Sequence, residues 1–279
     1  MKRFLTLTFL SVVTVYSYGQ QAPGSLVASV TGVDRRALVK SSVDVPSWHE
    51  RSFWPLYENY LGAAEGVSSR SSRALSALAT ADKTVSAQEA LQYAQQMFTY
   101  RNDLQAVRKQ AYLDIANALN GIIALQFLQT EVLLDMIESS RVYEETAWKK
   151  FRFHPKALTP HQFKAAKQNT ISKALSLSEE EADEFWVVYY QYEEECDALL
   201  GGDYSMIALY AGDPTDFTPA LAKRLGQEFL QVIERESRLK EKYFEKMNEA
   251  VGPALASRFL AWEDYYSLVS KMYAWAEMP

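Results

Sequence analysis

The chain of 279 residues contains only one cysteine, 11 glycines and 9 prolines. The single cysteine, Cys196, excludes a disulfide within the chain. Phosphate-binding loops and turn-rich β folds both need many glycines, so the shortage of glycine argues against both and favours long helices. Cys196 falls at a helix-core spacing and is interpreted as a buried thiol that behaves as a small hydrophobe; pairing between chains is the alternative.

The sequence also lacks the short motifs that carry common chemistry. It contains no Gly-rich phosphate loop, no Cys-x-x-Cys, no His-Glu-x-x-His and no Gly-x-Ser-x-Gly. No set of acid–base or metal-binding residues converges, so the sequence predicts a protein that is not an enzyme and needs no cofactor. A formal net charge of -6 argues against nucleic acid as a partner. No run beyond the N-terminus approaches about 18 apolar residues, so no integral membrane span is expected.

The N-terminus has the pattern of a secretory signal peptide over residues 1–20. Lys2 and Arg3 precede a short apolar run, and the small residues at 17–20 suit cleavage. Residues 21–37 are mostly small or polar and are predicted to be disordered. We therefore expect an exported, periplasmic protein.

The most informative pattern is one that occurs twice. Phe-Trp-x-x-Tyr-x-x-Tyr appears first at Phe53, Trp54, Tyr57 and Tyr60, and 132 residues later at Phe185, Trp186, Tyr189 and Tyr192. The pair Phe127 and Glu131 returns at the same offset as Phe259 and Glu263. Equal offsets at two landmarks indicate a tandem duplication. The predicted fold is all-α and elongated, with two pseudo-symmetric long-helix-hairpin repeats, residues 38–147 and 170–279, packed on each other.

Apolar residues at three-four spacing and capping residues predict the helices of each repeat. Capping boxes are expected at residues 47–50 and 178–181, and Ser86 and Thr218 each suit the start of a second helix of about 33 residues. Residues 68–85 are compatible with either a frayed helix or a loop. The aromatic stripes are interpreted as core, since aromatic residues at helical spacing usually pack against other helices.

Two groups of carboxylates need an explanation. Glu131 and Glu263 each follow a core phenylalanine by four residues on the same helix face, so each must pair or lie at the edge of the apolar stripe. A structural ion pair or cap is the favoured interpretation, and a catalytic carboxylate is the alternative. The run Glu193 to Glu195 is predicted to form a solvated acidic face, because consecutive helical residues point about 100° apart.

A basic connector, residues 148–169, separates the repeats. Its cations precede the acidic start of the second repeat, so one interpretation is a solvated connector whose charge complements that helix. The other is a contact surface for clients or partners, formed by Trp148, Lys149, Lys150, Phe151, Arg152, Phe153 and Lys156.

Three segments resemble the Spy-like periplasmic family, whose members carry a Leu-Thr-x-x-Gln motif at a helix start. Leu158-Thr159-Pro160-His161-Gln162 matches this motif, residues 175–186 look like the family's helix opening, and residues 254–263 look like a later Phe-Leu-x-x-Glu helix. The resemblance covers most of both repeats. It implies a thin, all-helical cradle that holds unfolded proteins without ATP under envelope stress, and it implies that two fused copies imitate the family's dimer within one chain.

The leading functional hypothesis is therefore an ATP-independent chaperone or envelope-stress protein that holds unfolded or envelope proteins on a helical surface. It would act as a monomer that mimics a dimer, or as a homo-oligomer. The alternative is a structural or adaptor protein that docks one specific envelope partner.

Overall fold

Residues 35–80, 86–144, 160–201 and 217–276 are described by a computed structural model of the chain. All regular structure in these ranges is α-helical, which confirms the predicted all-α class. The helices are α1 (Arg35–Ser42), α2 (Ser47–Thr80), α3 (Ala87–Ala118), α4 (Gly121–Glu144), α5 (Pro160–Leu175), α6 (Glu179–Gly201), α7 (Pro219–Val251) and α8 (Pro253–Ala276). Across the described ranges, the helices are too short or too polar to pass through a bilayer.

The caps predicted from the sequence start three of these helices. The Ser86 hydroxyl accepts the N–H of Glu89, and the Glu89 carboxylate accepts the N–H of Ser86, which completes a capping box at α3. Ser178 and Glu181 exchange the same two bonds at α6. At α7 the Thr218 hydroxyl caps a helix whose first residue is Pro219.

The start of α2 differs from the predicted capping box. Ser47 is itself the first helical residue, and the N–H of His49 bonds the carbonyl of Pro46 at 2.8 Å. Pro46 thus precedes the helix at the position that a capping residue would occupy. α2 then continues to Thr80, so residues 68–80, left open between helix and loop, are helical.

The two longest matched helices have the predicted length. α3 has 32 residues and α7 has 33, each about 50 Å long at 1.5 Å per residue. The starts of α2 and α6, of α3 and α7, and of α4 and α8 are each 132 residues apart, the offset read from the sequence. We therefore refer to α1–α4 as the first repeat and to α5–α8 as the second.

Two helices cross boundaries that were drawn from the sequence. Residues 35–37, assigned to a disordered segment, belong to α1, and residues 160–169, assigned to the connector, belong to α5. Both helices occupy equivalent positions, and each bears a cation that reaches a buried carboxylate: Arg35 in α1 and Lys167 in α5. Composition did not reveal these helix starts, because both segments are short and polar. Each is held by an ion pair with a residue that is distant in sequence.

The repeats contact each other through reciprocal helix pairs. α7 packs against α4, and its counterpart α3 packs against α8. Leu125 of α4 lies in a small apolar cluster with Ala222 of α7. At the equivalent position in α8, the Ser257 hydroxyl donates to the carbonyl of Ala90 in α3 at 2.9 Å. These contacts between α3, α4, α7 and α8 bury apolar surface that one helical hairpin leaves open.

Close backbone approach at this interface depends on glycine. A Cβ added at Gly121, the first residue of α4, would lie 2.1 Å from the carbonyl oxygen of Pro219 at the start of α7. A Cβ at Gly226 would lie 2.4 Å from the Tyr112 hydroxyl. That hydroxyl donates to the carbonyl of Lys223 at 2.6 Å, which fixes α3 against α7.

Candidate functional site

Each copy of the aromatic motif packs into the core of its own repeat. Phe53 stacks on Tyr57 with ring centroids 6.0 Å apart, and Phe185 stacks on Tyr189 at 5.7 Å. Further contacts match across the copies: Tyr60 meets Phe127 edge-on, as Tyr192 meets Phe259. All the phenylalanines and tyrosines of the motif are buried, as predicted, whereas Trp54 and Trp186 are half-buried.

The two glutamates that follow the core phenylalanines form buried ion pairs, which confirms the favoured interpretation. The Arg35 guanidinium lies 2.5 Å from the Glu131 carboxylate, and the Lys167 ammonium lies 2.8 Å from that of Glu263. Tyr57 donates a further hydrogen bond to Glu131 at 3.2 Å. A cation from the first helix of each repeat therefore neutralises a carboxylate from the last.

Glu193 contradicts the prediction of a solvated acidic run. Its side chain is 7 % exposed and accepts a hydrogen bond from the Tyr189 hydroxyl at 2.9 Å, while Lys164 lies 3.3 Å away. Glu194 and Glu195 are exposed, as expected. The carboxylate of Glu193 is buried where three side chains of α5 reach it: Lys164, Lys167 and Gln168.

A buried charge network links the two repeats, and it was not predicted. Lys240 of α7 lies 3.1 Å from Glu236, one turn earlier, and 3.0 Å from Asp264 of α8. Arg101 of α3 also pairs with Asp264, and Lys271 of α8 lies 2.6 Å from Glu236. The spacing of Glu236 and Lys240, four residues apart on α7, is the only feature of the sequence that points to this network. The other members come from α3 and α8, which are distant in sequence.

These pairings hold the acids of the network ionised. Burial alone would raise the pKa of the Glu236 carboxyl, but the Lys271 and Lys240 ammonium groups outweigh it and hold the pKa well below its ordinary range. Burial opposes ionisation of Asp264 too, and Arg101 with Lys240 lowers its pKa. The network is therefore fully charged near neutral pH.

Cys196 is less buried than the sequence indicated. It is partly buried and packs against the hydrophobic core. Burial, helped by the nearby carboxylate of Glu263, raises the pKa of its thiol to about 11. The reactive thiolate is thus a minor species near neutral pH.

The predicted contact residues of the connector, residues 148–156, lie outside the described residues. Of the other cations in the basic run, Lys164 and Lys167 belong to α5 and pair with acids of α6 and α8. The positive charges of these two lysines thus pair with acids of the second repeat, in line with the interpretation that the connector's charge complements that repeat.

An exposed apolar patch lies on α6, and we call its residues Trp186, Val187 and Tyr190 the aromatic face. Val187 is 61 % exposed and Tyr190 is 54 % exposed. The rings of Trp186 and Tyr190 stack with centroids 5.7 Å apart and planes 30° apart. The other large exposed apolar side chain in the described residues is Trp48, 77 % exposed, at the start of α2. Sequence reasoning missed the face because the aromatic-rich stretch was interpreted as core.

The aromatic face is bounded by acids. Asp183 and Glu194 are exposed and lie one helical turn before and after it on the same side of α6. The arrangement is an apolar contact surface in a negatively charged surround.

Comparisons of the chain with protein families, with curated proteins and with solved structures found no match. The resemblance to Spy-like proteins therefore rests on the sequence motifs alone.

Proposed function

We propose that the protein is a periplasmic, Spy-like binding protein that holds unfolded polypeptides on its helical surface without ATP or chemistry. The observation that carries this proposal is the aromatic face of α6, where Val187 and Tyr190 are more than half exposed. Contiguous exposed apolar side chains with polar borders are typical of interaction sites.

The chemistry of this surface suits weak and broad binding. Apolar contact is non-directional, so a stacked Trp–Tyr pair accepts many different apolar side chains. The face also lies on a helix fixed by buried contacts: Phe185 and Tyr189 pack inward on the same helix, and Glu193 is held by α5. A rigid surface loses little conformational entropy when a client binds.

Aggregation of unfolded proteins tests the proposal. Two unrelated model proteins, diluted from denaturant, are followed by light scattering with and without a near-stoichiometric amount of the full chain. We expect the chain to slow aggregation of both, and the variant Val187→Ser/Tyr190→Ser to lose most of this effect. Trp48→Ser is the matched control, since it removes an exposed aromatic side chain from the other repeat and should protect as the native chain does.

If neither unfolded protein is protected, the proposal is contradicted. The remaining hypothesis would then be an adaptor that docks one folded envelope partner. Such an adaptor would leave the aggregation of unfolded proteins the same as in buffer alone.

A further inference from the structure

In the first repeat, a cation from the same chain lies over the tryptophan that corresponds to Trp186 of the aromatic face. The Arg36 guanidinium lies 4.6 Å from the ring centre of Trp54, the counterpart of Trp186. Arg36 also pairs with Glu58 at 2.8 Å, one turn beyond the indole. A cation held over the indole and anchored by a carboxylate is a favourable arrangement at a protein surface.

The second repeat replaces both members of that pair. Gln168 stands at the position of Arg36, and its amide donates to the buried carboxylate of Glu193 at 3.2 Å instead. Tyr190 stands at the position of Glu58 and stacks on Trp186. In the described helices, no Lys or Arg lies over the Trp186 ring. Within the described residues, the second repeat thus has an exposed ring where the first repeat has an internal cation and its carboxylate.

The surroundings of the aromatic face still favour a cation. Asp183 and Glu194 are exposed on either side of it, and Glu184 adds another exposed carboxylate on the same helix. Charges this close to an apolar surface attract the opposite charge of a partner and speed its approach.

We propose that the aromatic face of α6 binds polypeptide segments in which Arg or Lys stands next to apolar residues. The partner's cation takes the place over Trp186 and Tyr190 that Arg36 takes over Trp54, and its apolar neighbours contact Val187. This inference rests on the proposed function and specifies its client: unfolded segments that are basic and apolar, in preference to acidic ones.

Peptide binding to the full chain tests the inference. Two fluorescein-labelled peptides share a Leu- and Phe-containing sequence and differ only in carrying Arg or Glu at the charged positions. Anisotropy should show that the Arg peptide binds at least about threefold more tightly, which is the scale of one exposed cation–π contact. The difference should shrink as salt rises from about 0.05 to 0.5 M, because exposed charges are then screened.

Two variants exchange the chemistry of the repeats. Gln168→Arg/Tyr190→Glu rebuilds the covering pair on the second repeat and should reduce the affinity for the Arg peptide to that for the Glu peptide. Arg36→Gln/Glu58→Tyr uncovers Trp54 and should add a second site for the Arg peptide. Circular dichroism of both variants is the control, and the helix content should equal that of the native chain.

Equal affinities of the native chain for the two peptides would overturn the inference, as would unchanged binding in Gln168→Arg/Tyr190→Glu. Either result can occur while the chain still suppresses aggregation, in which case the holding function stands and its preference for basic segments is wrong. Conversely, selective peptide binding without suppression would uphold the inference for this face and contradict the holding function.

Discussion

The Lys167 ammonium lies 2.8 Å from the Glu263 carboxylate, and both groups are nearly buried. Arg35 and Glu131 form the same pair 132 residues earlier. In each repeat the pair joins the first helix to the last, across an aromatic core of matching geometry. The positions of both members are thus shared between the repeats, although the cation differs.

Removing the cation of one pair should be strongly destabilising. Lys167→Met leaves Glu263, whose side chain is 3 % exposed, without its closest cation, and breaking a buried pair costs about 3–5 kcal/mol. Urea denaturation followed by circular dichroism measures the loss. Lys167→Arg, which copies the cation of the first repeat, is the control and should retain most of the stability. Equal losses in the two variants would show that charge at this position is unimportant.

Gly121 should tolerate no side chain, because a Cβ there would lie 2.1 Å from the backbone oxygen of Pro219. We expect Gly121→Ala to destabilise the fold by about 1–3 kcal/mol, the usual cost of overpacking. Gly66, inside α2, has open space around its Cβ position, so Gly66→Ala should stabilise the protein by about 0.5–1 kcal/mol. Thermal unfolding of both variants gives the comparison, and a Gly121→Ala variant that is as stable as the native chain, or more stable, would refute the close approach of α4 to α7.

Acid should weaken the interface between the repeats. The folded-state pKa values of Glu236 and Asp264 are lower than their ordinary values of 4.5 and 3.8, so both acids stabilise the fold above those values. That stability is lost as pH falls below about 4.5 and protonation removes the charges facing Lys240 and Lys271. The free energy of unfolding should therefore decrease on acidification, and Glu236→Gln should be less stable at pH 7 with a shallower decrease. An equally steep acid dependence in the variant would exclude Glu236 as a source.

The Cys196 thiol should react slowly in the folded protein. A rise of its pKa from 9.0 to about 11 lowers the thiolate fraction at pH 8 by about 100-fold, since each unit is a factor of ten. Reaction with a thiol-specific chromogenic disulfide should thus be slow in native buffer and fast in denaturant. Similar rates in both conditions would contradict the burial of this side chain.

Local sequence patterns predicted the features that depend on local chemistry. Caps at Ser86, Ser178 and Thr218 were correct, because a hydroxyl before an apolar-periodic run satisfies free N–H groups whatever the rest of the fold does. The pairing of Glu131 and Glu263 was also correct, since a carboxylate on a core face requires a partner.

Features that depend on distant partners were not predicted. The sequence requires a partner for Glu263, but it does not identify Lys167, which lies in the part of α5 that was assigned to a connector. The network of Lys240, Asp264 and Arg101 joins three helices, and no local pattern relates them. The exposed side of α6 was missed for a related reason: its apolar stretch covers the whole helix circumference, and only packing decides which side remains in solvent.

Site-specific photocrosslinking gives the most direct test of where a client binds. A benzoyl-phenylalanine replaces Val187 in one full-length variant and Pro55, its exposed counterpart in the first repeat, in another, so that Arg36, Glu58 and Tyr190 all remain in place. Each variant is irradiated with an unfolded client. Arg36 lies over Trp54, whereas no Lys or Arg of the described residues lies over Trp186. We therefore predict cross-links to the client from position 187 and few from position 55. Equal cross-linking from both positions, or none from position 187, would contradict the assignment of the aromatic face as the binding surface.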